Sequence, residues 1–178
     1  MKNENTMILT YKVLSLLLDY PTEMLQKSLS GIGGQLREER FLDETSIGHI
    51  ETFVGYASSL SLTEWQEQYV TLFDQGTGAN LYLFDYAYGS SRDRGQAMVD
   101  LKAMYLDSGF IPCAEELPDY LPLFLEFLAI QSDTEKAGKL LSETSQVLIG
   151  MRKQIDKQQT PYAGLIDVVC QLAGKGGE

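Results

Sequence analysis

Residues 81–89, LYLFDYAYG, decide the fold class, because they are the one stretch that can be read as a β-strand. Tyr82, Phe84, Tyr86 and Tyr88 alternate with Leu81, Leu83, Asp85 and Ala87, the period of two that a half-buried strand shows. A strand, however, must place its backbone N–H and C=O groups against another strand, and an isolated pair is marginal even when formed. Everywhere else the apolar residues recur at helical spacing. We therefore read 81–89 as a short helix or an extended connector in an all-α chain.

The surrounding segments carry helix starts and stops. Upstream, Ser61-Leu-Thr-Glu64 has the spacing of a capping box, in which Ser and Glu side chains satisfy each other's free backbone N–H. It opens a helix through Trp65, Tyr69, Leu72 and Phe73, which residues 75–80, QGTGAN, then break. Three earlier helices are expected over 7–18, from Thr22 to about 39, and near 43–60. Downstream, Ser91 can cap a helix over 92–108 that Gly109 stops, with Ala97, Met98, Leu101, Met104 and Tyr105 on its apolar face. Asp119 can cap the next, with Pro122 tolerated in its first turn and Tyr120, Leu121, Phe124, Leu125 and Leu128 facing the core. Ser132-Asp-Thr-Glu135 is a second candidate capping box, opening a long helix to about 158. Thr160-Pro161 begins a last helix closed by Gly174. The expectation is a single-domain helical bundle of about eight helices, with a loop-rich waist near residues 75–90.

The 178 residues are 44% hydrophobic and 22% charged, enough for one real core. The net charge of −11 is unevenly laid out. Residues 41–91 contain no Lys or Arg but include Asp43, Glu44, Glu51, Glu64, Glu67, Asp74 and Asp85. Residues 103–135 repeat the pattern with Asp107, Glu115, Glu116, Asp119, Glu126, Asp133 and Glu135. Such surfaces repel nucleic acid and anionic lipid and favour cationic partners. No apolar run is long enough to span a bilayer. The amino-terminal leucine cluster ends in Asp19 without a small-residue cleavage site, so it is not read as a signal peptide. Cys113 and Cys170 are too far apart for a CxxC site. Buried free thiols account for both, which suits a reducing, cytoplasmic location.

Groups that would carry chemistry are sparse. The single histidine, His49, lies in a polar helix. No HExxH, GxSxG or GxxxxGK[ST] occurs, and the glycine pair Gly76 and Gly78 lacks the lysine and the preceding strand of a phosphate loop. No cofactor is expected to be held by this chain itself.

Two segments exceed what a core requires. Arg92 and Arg94 interrupt the base-free pattern at a helix start, where the dipole disfavours cations. Nearby acids such as Glu116 or Asp119 are expected to hold them. In residues 115–128, Pro118 and Pro122 fix the entry to a helix whose first turns carry Tyr120, Leu121, Leu123 and Phe124 on nearly every side. A surplus apolar face rimmed by carboxylates suits a cationic amphipathic peptide.

Residues 69–101, YVTLFDQGTGANLYLFDYAYGSSRDRGQAMVDL, and 116–129, ELPDYLPLFLEFLA, resemble the corresponding blocks of the NarJ-type nitrate reductase assembly chaperones. An LLxYP element, here Leu17-Leu-Asp-Tyr-Pro21, precedes them as in that family. The resemblance implies the all-helical fold of the redox-enzyme maturation proteins. It also implies a non-catalytic role: binding the amino-terminal peptide of the nitrate reductase catalytic subunit until molybdenum cofactor insertion, and delaying membrane docking. The wider group often has histidine after the Pro-Asp pair, whereas this chain has Tyr120, so no role of that histidine carries over. Contacts made by the long charged carboxyl-terminal extension of some members are likewise not carried over to a chain ending Gly174-Lys-Gly-Gly-Glu178.

On this reading Tyr69, Phe73, Leu83, Phe84, Tyr120, Leu121 and Phe124 are candidates for an apolar client groove. Asp74, Asp85, Glu116 and Asp119 would meet the client's basic residues, while Arg92, Arg94, Pro118 and Pro122 brace the site. The cofactor belongs to the client. Three matters stay open at this level. The client could be another molybdoenzyme, of the dimethyl sulfoxide or trimethylamine N-oxide reductase type. The chain could be a small helical enzyme using a nucleotide at Gly76 and Gly78. Monomer and homodimer are equally compatible with the residues.

Overall fold

The computed structural model describes residues 2–74, 77–112 and 115–176, with side chains from Met7 onward. Ten helices follow one another among them: α1 Lys2–Leu18, α2 Glu23–Glu39, α3 Glu44–Ser58, α4 Leu62–Phe73, α5 Leu83–Ala87, α6 Asp93–Asp107, α7 Leu121–Ala129, α8 Thr134–Glu143, α9 Ser145–Asp156 and α10 Tyr162–Lys175. Cys113 and Gly76 lie outside the described residues.

Most helix starts are local chemistry. Thr22 and Asp43 accept the backbone N–H three residues on, from Leu25 at 3.2 Å and Ser46 at 2.8 Å, and so cap α2 and α3. At α4 both halves of the Ser61–Glu64 box form. Helix α6 ends in a Schellman turn. Gly109 takes φ +76°, its N–H donates to Leu106 O, and the Phe110 N–H donates to Tyr105 O at 2.9 Å. The Phe110 ring then lies 5.3 Å from that of Tyr105, closing the apolar contact such turns carry.

Ser91 is not the N-cap of α6, where Arg92 stands without a side-chain bond, and Gly174 lies inside α10, which Gly176 caps. Three further local expectations need correction. The capping residue of α8 is Asp133, which accepts the Lys136 N–H at 2.9 Å, rather than Ser132. The long helix expected from the Ser132–Glu135 box to about 158 is two helices, broken at Thr144, whose ψ of 1° leaves the helical region. There the hydroxyls of Ser142, Thr144 and Ser145 all bond carbonyls of the preceding turn and compete with the backbone. Third, Asp119 does not cap α7. Tyr120 occupies that position without a side-chain bond, and the Asp119 carboxylate turns elsewhere. With α5 formed and the long helix divided, the count rises from about eight to ten.

Helix α7 is the centre of the packing. Of its nine residues only Glu126 reaches solvent, and its most extensive partner is α1. The Ser15 hydroxyl of α1 donates to Pro122 O at 2.7 Å, tying the two together inside the core. Helix α10 buries Tyr162, Leu165, Ile166 and Val169 against α3, α8 and α9. The Trp65 indole N–H donates to the Tyr162 hydroxyl at 2.8 Å, so the one polar atom of each ring is satisfied where both are buried.

Candidate functional site

The strand-like stretch turns out to do two things. Leu81 and Tyr82 are extended, and residues 83–87 are helical. Its extended part has a partner that the sequence did not disclose, the turn at residues 119–121. The Leu83 N–H donates to Asp119 O at 2.9 Å and the Leu121 N–H to Leu81 O at 2.8 Å, a single antiparallel bridge between Tyr82 and Tyr120. The two blocks singled out in the sequence are thus stitched together through their backbones.

Asp119 is the pivot of that junction. Its side chain is fully buried, and Oδ2 accepts the Phe84 N–H at 2.9 Å. It thereby caps α5, a helix whose own N-cap residue, Tyr82, offers no side-chain bond. Oδ1 has no hydrogen-bond partner among the described residues. Burial pushes the carboxyl above its ordinary value, opposed by the Phe84 N–H and by the charge of Arg94.

Arg94 does not reach Glu116 or Asp119 as an ion-pair partner. Its Nη2 lies 2.6 Å from Asp85 Oδ1, both side chains being about one-third exposed. Asn80 Nδ2 donates to the other oxygen of Asp85 at 3.0 Å, and Asn80 Oδ1 accepts the Tyr82 N–H at 2.9 Å. The chain from Asn80 to Asp85 is therefore closed on itself and fastened to α6. Arg92 is exposed and forms no ion pair among the described residues. From α6, the Tyr105 hydroxyl donates to Pro118 O at 2.7 Å and holds the other strand of the junction.

The residues proposed for the client groove fall into three groups. Leu83, Asp119, Leu121 and Phe124 are buried and present no surface here. Phe84 and Asp85 are half-buried on α5. Tyr69, Phe73, Asp74, Glu116 and Tyr120 come together around a cavity of about 170 Å³, completed by Tyr20, Leu81 and Tyr82. The Tyr69 and Tyr120 hydroxyls lie 2.6 Å apart in its floor, with Leu18 O 3.1 Å from the first and Asp19 Oδ1 3.1 Å from the second. Two hydroxyl protons serve three such contacts, so the pair shares its protons between a carbonyl and a carboxylate. Burial drives both phenols far above their ordinary range, and the neighbouring acids add to it. At the mouth the Tyr82 hydroxyl donates to Glu116 Oε2 at 3.1 Å. Partial burial, then Glu116, Asp74 and Asp119, push that phenol up to about 12. Tyr20, Tyr82 and Asp19 were missed in the sequence. Their signals were present in the LLDYP element and in the aromatic stretch, but nothing local says that they meet.

Residues 42–166 match the model of a family described as the nitrate reductase delta subunit. The chain is 34% identical over 161 residues to the nitrate reductase molybdenum cofactor assembly chaperone NarJ of Escherichia coli (strain K12), covering 90% of this chain and 68% of that one. A NarJ relative from Bacillus subtilis (strain 168) is 32% identical over 163 residues, covering 90% and 86%. Among solved structures, one assigned as a redox enzyme maturation protein from Archaeoglobus fulgidus superposes with a TM-score of 0.65 at 18% identity, over 92% of this chain and 91% of that one. That likeness is one of fold. The sequence matches go further, and by them the chain belongs to the nitrate reductase delta subunit family.

Proposed function

We propose that this protein is a client-specific chaperone, not an enzyme, which binds the amino-terminal peptide of a respiratory nitrate reductase catalytic subunit and keeps it competent for molybdenum cofactor insertion. The observation that carries the reading is the 34% identity with NarJ across 90% of the chain, since NarJ is named for that assembly role. The site chemistry supports it. Aromatic rings, carboxylates and no described cation line the cavity between Tyr20, the end of α4, residues 81–82 and the segment that leads into α7, and the chain as a whole carries −11. A basic amphipathic peptide complements such a surface. Among the described residues no helix is long and apolar enough to cross a membrane, and we place the chaperone in the cytoplasm, where its client is synthesised.

Binding of this kind needs no reacting group. It needs a shaped surface that recognises an unfinished subunit and releases it once the cofactor is in place. Deleting the protein should leave the catalytic subunit synthesised but short of molybdenum and inactive. Metal analysis of the purified subunit decides this, and normal molybdenum content would sink the assignment. Calorimetry with a synthetic peptide of the client's amino terminus should show binding that weakens with salt without vanishing, because charge pairs are screened and apolar burial is not. A stronger match to a dimethyl sulfoxide or trimethylamine N-oxide reductase peptide would name a different client within the same class.

A further inference from the structure

The cavity between Tyr20, Tyr69, Tyr82 and Tyr120 has features that peptide binding in general does not call for. At about 170 Å³ it is below the ~300–1,000 Å³ of common small-molecule pockets, so it suits one long side chain rather than a free metabolite. Its floor is buried, being made of Tyr69, Phe73, Leu81 and Tyr120. Its mouth is exposed at Tyr20, Asp74 and Glu116. The rings stand at different angles: Tyr20 lies edge-on to Tyr69 with centroids 5.6 Å apart, and Tyr82 is tilted on Tyr120 at 5.4 Å.

Several independent sources of negative potential converge on it. Asp74 and Glu116 line the cavity, and Asp19 receives the Tyr120 hydroxyl behind it. None of these three acids is in an ion pair among the described residues. Two helices also end here: α1 stops at Leu18 just before Tyr20, and α4 at Phe73 with Asp74 as its C-cap. Each helix C-terminus adds a partial negative charge to that of the carboxylates. Apart from Tyr20, every lining residue comes from the two segments of the chain that contain no Lys or Arg, and none of the residues lining the cavity is cationic.

We propose that this cavity is the receptor for a single arginine side chain of the client peptide, a deepening that rests on the client-binding reading above. A guanidinium is favoured over an ammonium for a physical reason. The floor hydroxyls are already engaged with each other, with Leu18 O and with Asp19, so few acceptors remain to replace an ammonium's tightly held water. The flat, weakly hydrated guanidinium lies against aromatic rings and still donates to carboxylates at the rim. Tyr82, already bonded to Glu116, sets the position of that carboxylate beside the ring wall.

The test uses the full chain and two probes. Nα-acetyl-arginine amide is titrated by NMR against its citrulline and lysine counterparts, with wild type and with Asp74→Asn/Glu116→Gln. Both substituted residues are exposed, and an unchanged thermal midpoint verifies the fold. The arginine compound should bind roughly tenfold or more tightly than the citrulline one, and lose about as much in the double variant. Equal binding of arginine and citrulline, or no loss in the variant, overturns the cavity. Lysine binding as well as arginine overturns the guanidinium assignment. The second probe is a synthetic peptide of the client's amino terminus with its arginines replaced by citrulline one at a time. One position should lose about tenfold in wild type and little more in the double variant. A peptide that binds with every arginine dispensable removes the cavity from client recognition. A peptide that fails to bind while acetyl-arginine amide still does would instead refute the client reading and leave the cation site standing.

Discussion

Replacing Arg94 with alanine tests whether the junction between residues 80–85 and 116–121 is held by charge. Arg94 pairs with Asp85 at 2.6 Å, each about one-third exposed, so the pair lies between two regimes. Exposed pairs contribute about 0.2–1 kcal/mol, whereas orphaning one member of a buried pair costs about 3–5 kcal/mol. Here solvent still reaches Asp85, but the buried Asp119 carboxylate beside it also loses the cation that favours its charge. We expect a loss of about 2 kcal/mol at neutral pH, which for a chain of 178 residues lowers Tm by about 4–8 °C. The sign of the pH dependence follows from Asp119. Its folded pKa is raised, so its ionised form opposes folding above that pKa, and this cost disappears as pH falls through it. Without Arg94 the cost grows, so the deficit of Arg94→Ala should be largest at neutral pH and shrink on acidification. Introducing Asp119→Asn beside Arg94→Ala should recover part of the loss, because the amide oxygen can still accept the Phe84 N–H while the buried charge is gone. Urea unfolding of the three variants and wild type at neutral and mildly acid pH measures all of this. An unchanged midpoint in Arg94→Ala, or a deficit that is the same with Asp119→Asn present, would refute the coupling.

Tyr69→Phe removes the hydroxyl shared between Leu18 O and Tyr120, and should cost about 1–2 kcal/mol in denaturant titration; Tyr120→Phe should cost a similar amount, and the double variant less than the sum. Leu121 is completely buried, so Leu121→Ala should cost about 2–5 kcal/mol and Leu121→Glu should prevent folding outright, read by circular dichroism, rather than weaken client binding alone. Arg40, the C-cap of α2, and Gln159, in the turn that follows α9, hold φ of 56° and 52°, a conformation that costs a residue with Cβ about 1 kcal/mol or more. Arg40→Gly and Gln159→Gly should therefore each raise the unfolding midpoint slightly, and a fall in both would show that their side-chain contacts outweigh the backbone strain.

The all-helical class and most helix starts were legible in the residues because they depend on groups within one turn of each other. Thr22, Asp43 and the Ser61–Glu64 box act three residues away, and Gly109 stops α6 through its own φ. The break at Thr144 was also written locally, in three hydroxyl residues between positions 142 and 145, but the apolar period running through it concealed the signal. The motif residues Tyr69, Phe73, Asp74, Glu116 and Tyr120 could be picked out within the two blocks that carry the family resemblance, and the structure gathers them around one cavity. What no local pattern contained was their mutual arrangement. Asp119 caps a helix 35 positions before it in the chain rather than the one that follows. Tyr82 finds its backbone partner at Tyr120, and Tyr20 closes a cavity whose other walls lie some 50 to 100 residues away. Leu83, Leu121 and Phe124 look from sequence as able to line a groove as to fill a core, and only the docking of α7 against α1 and of α5 against α9 buries them. Periodicity assigns a side chain to a face of its helix. Which neighbour that face meets, and whether a carboxylate there ends in water or in the core, is set by long-range packing, whose free energy exists only once the chain has closed on itself.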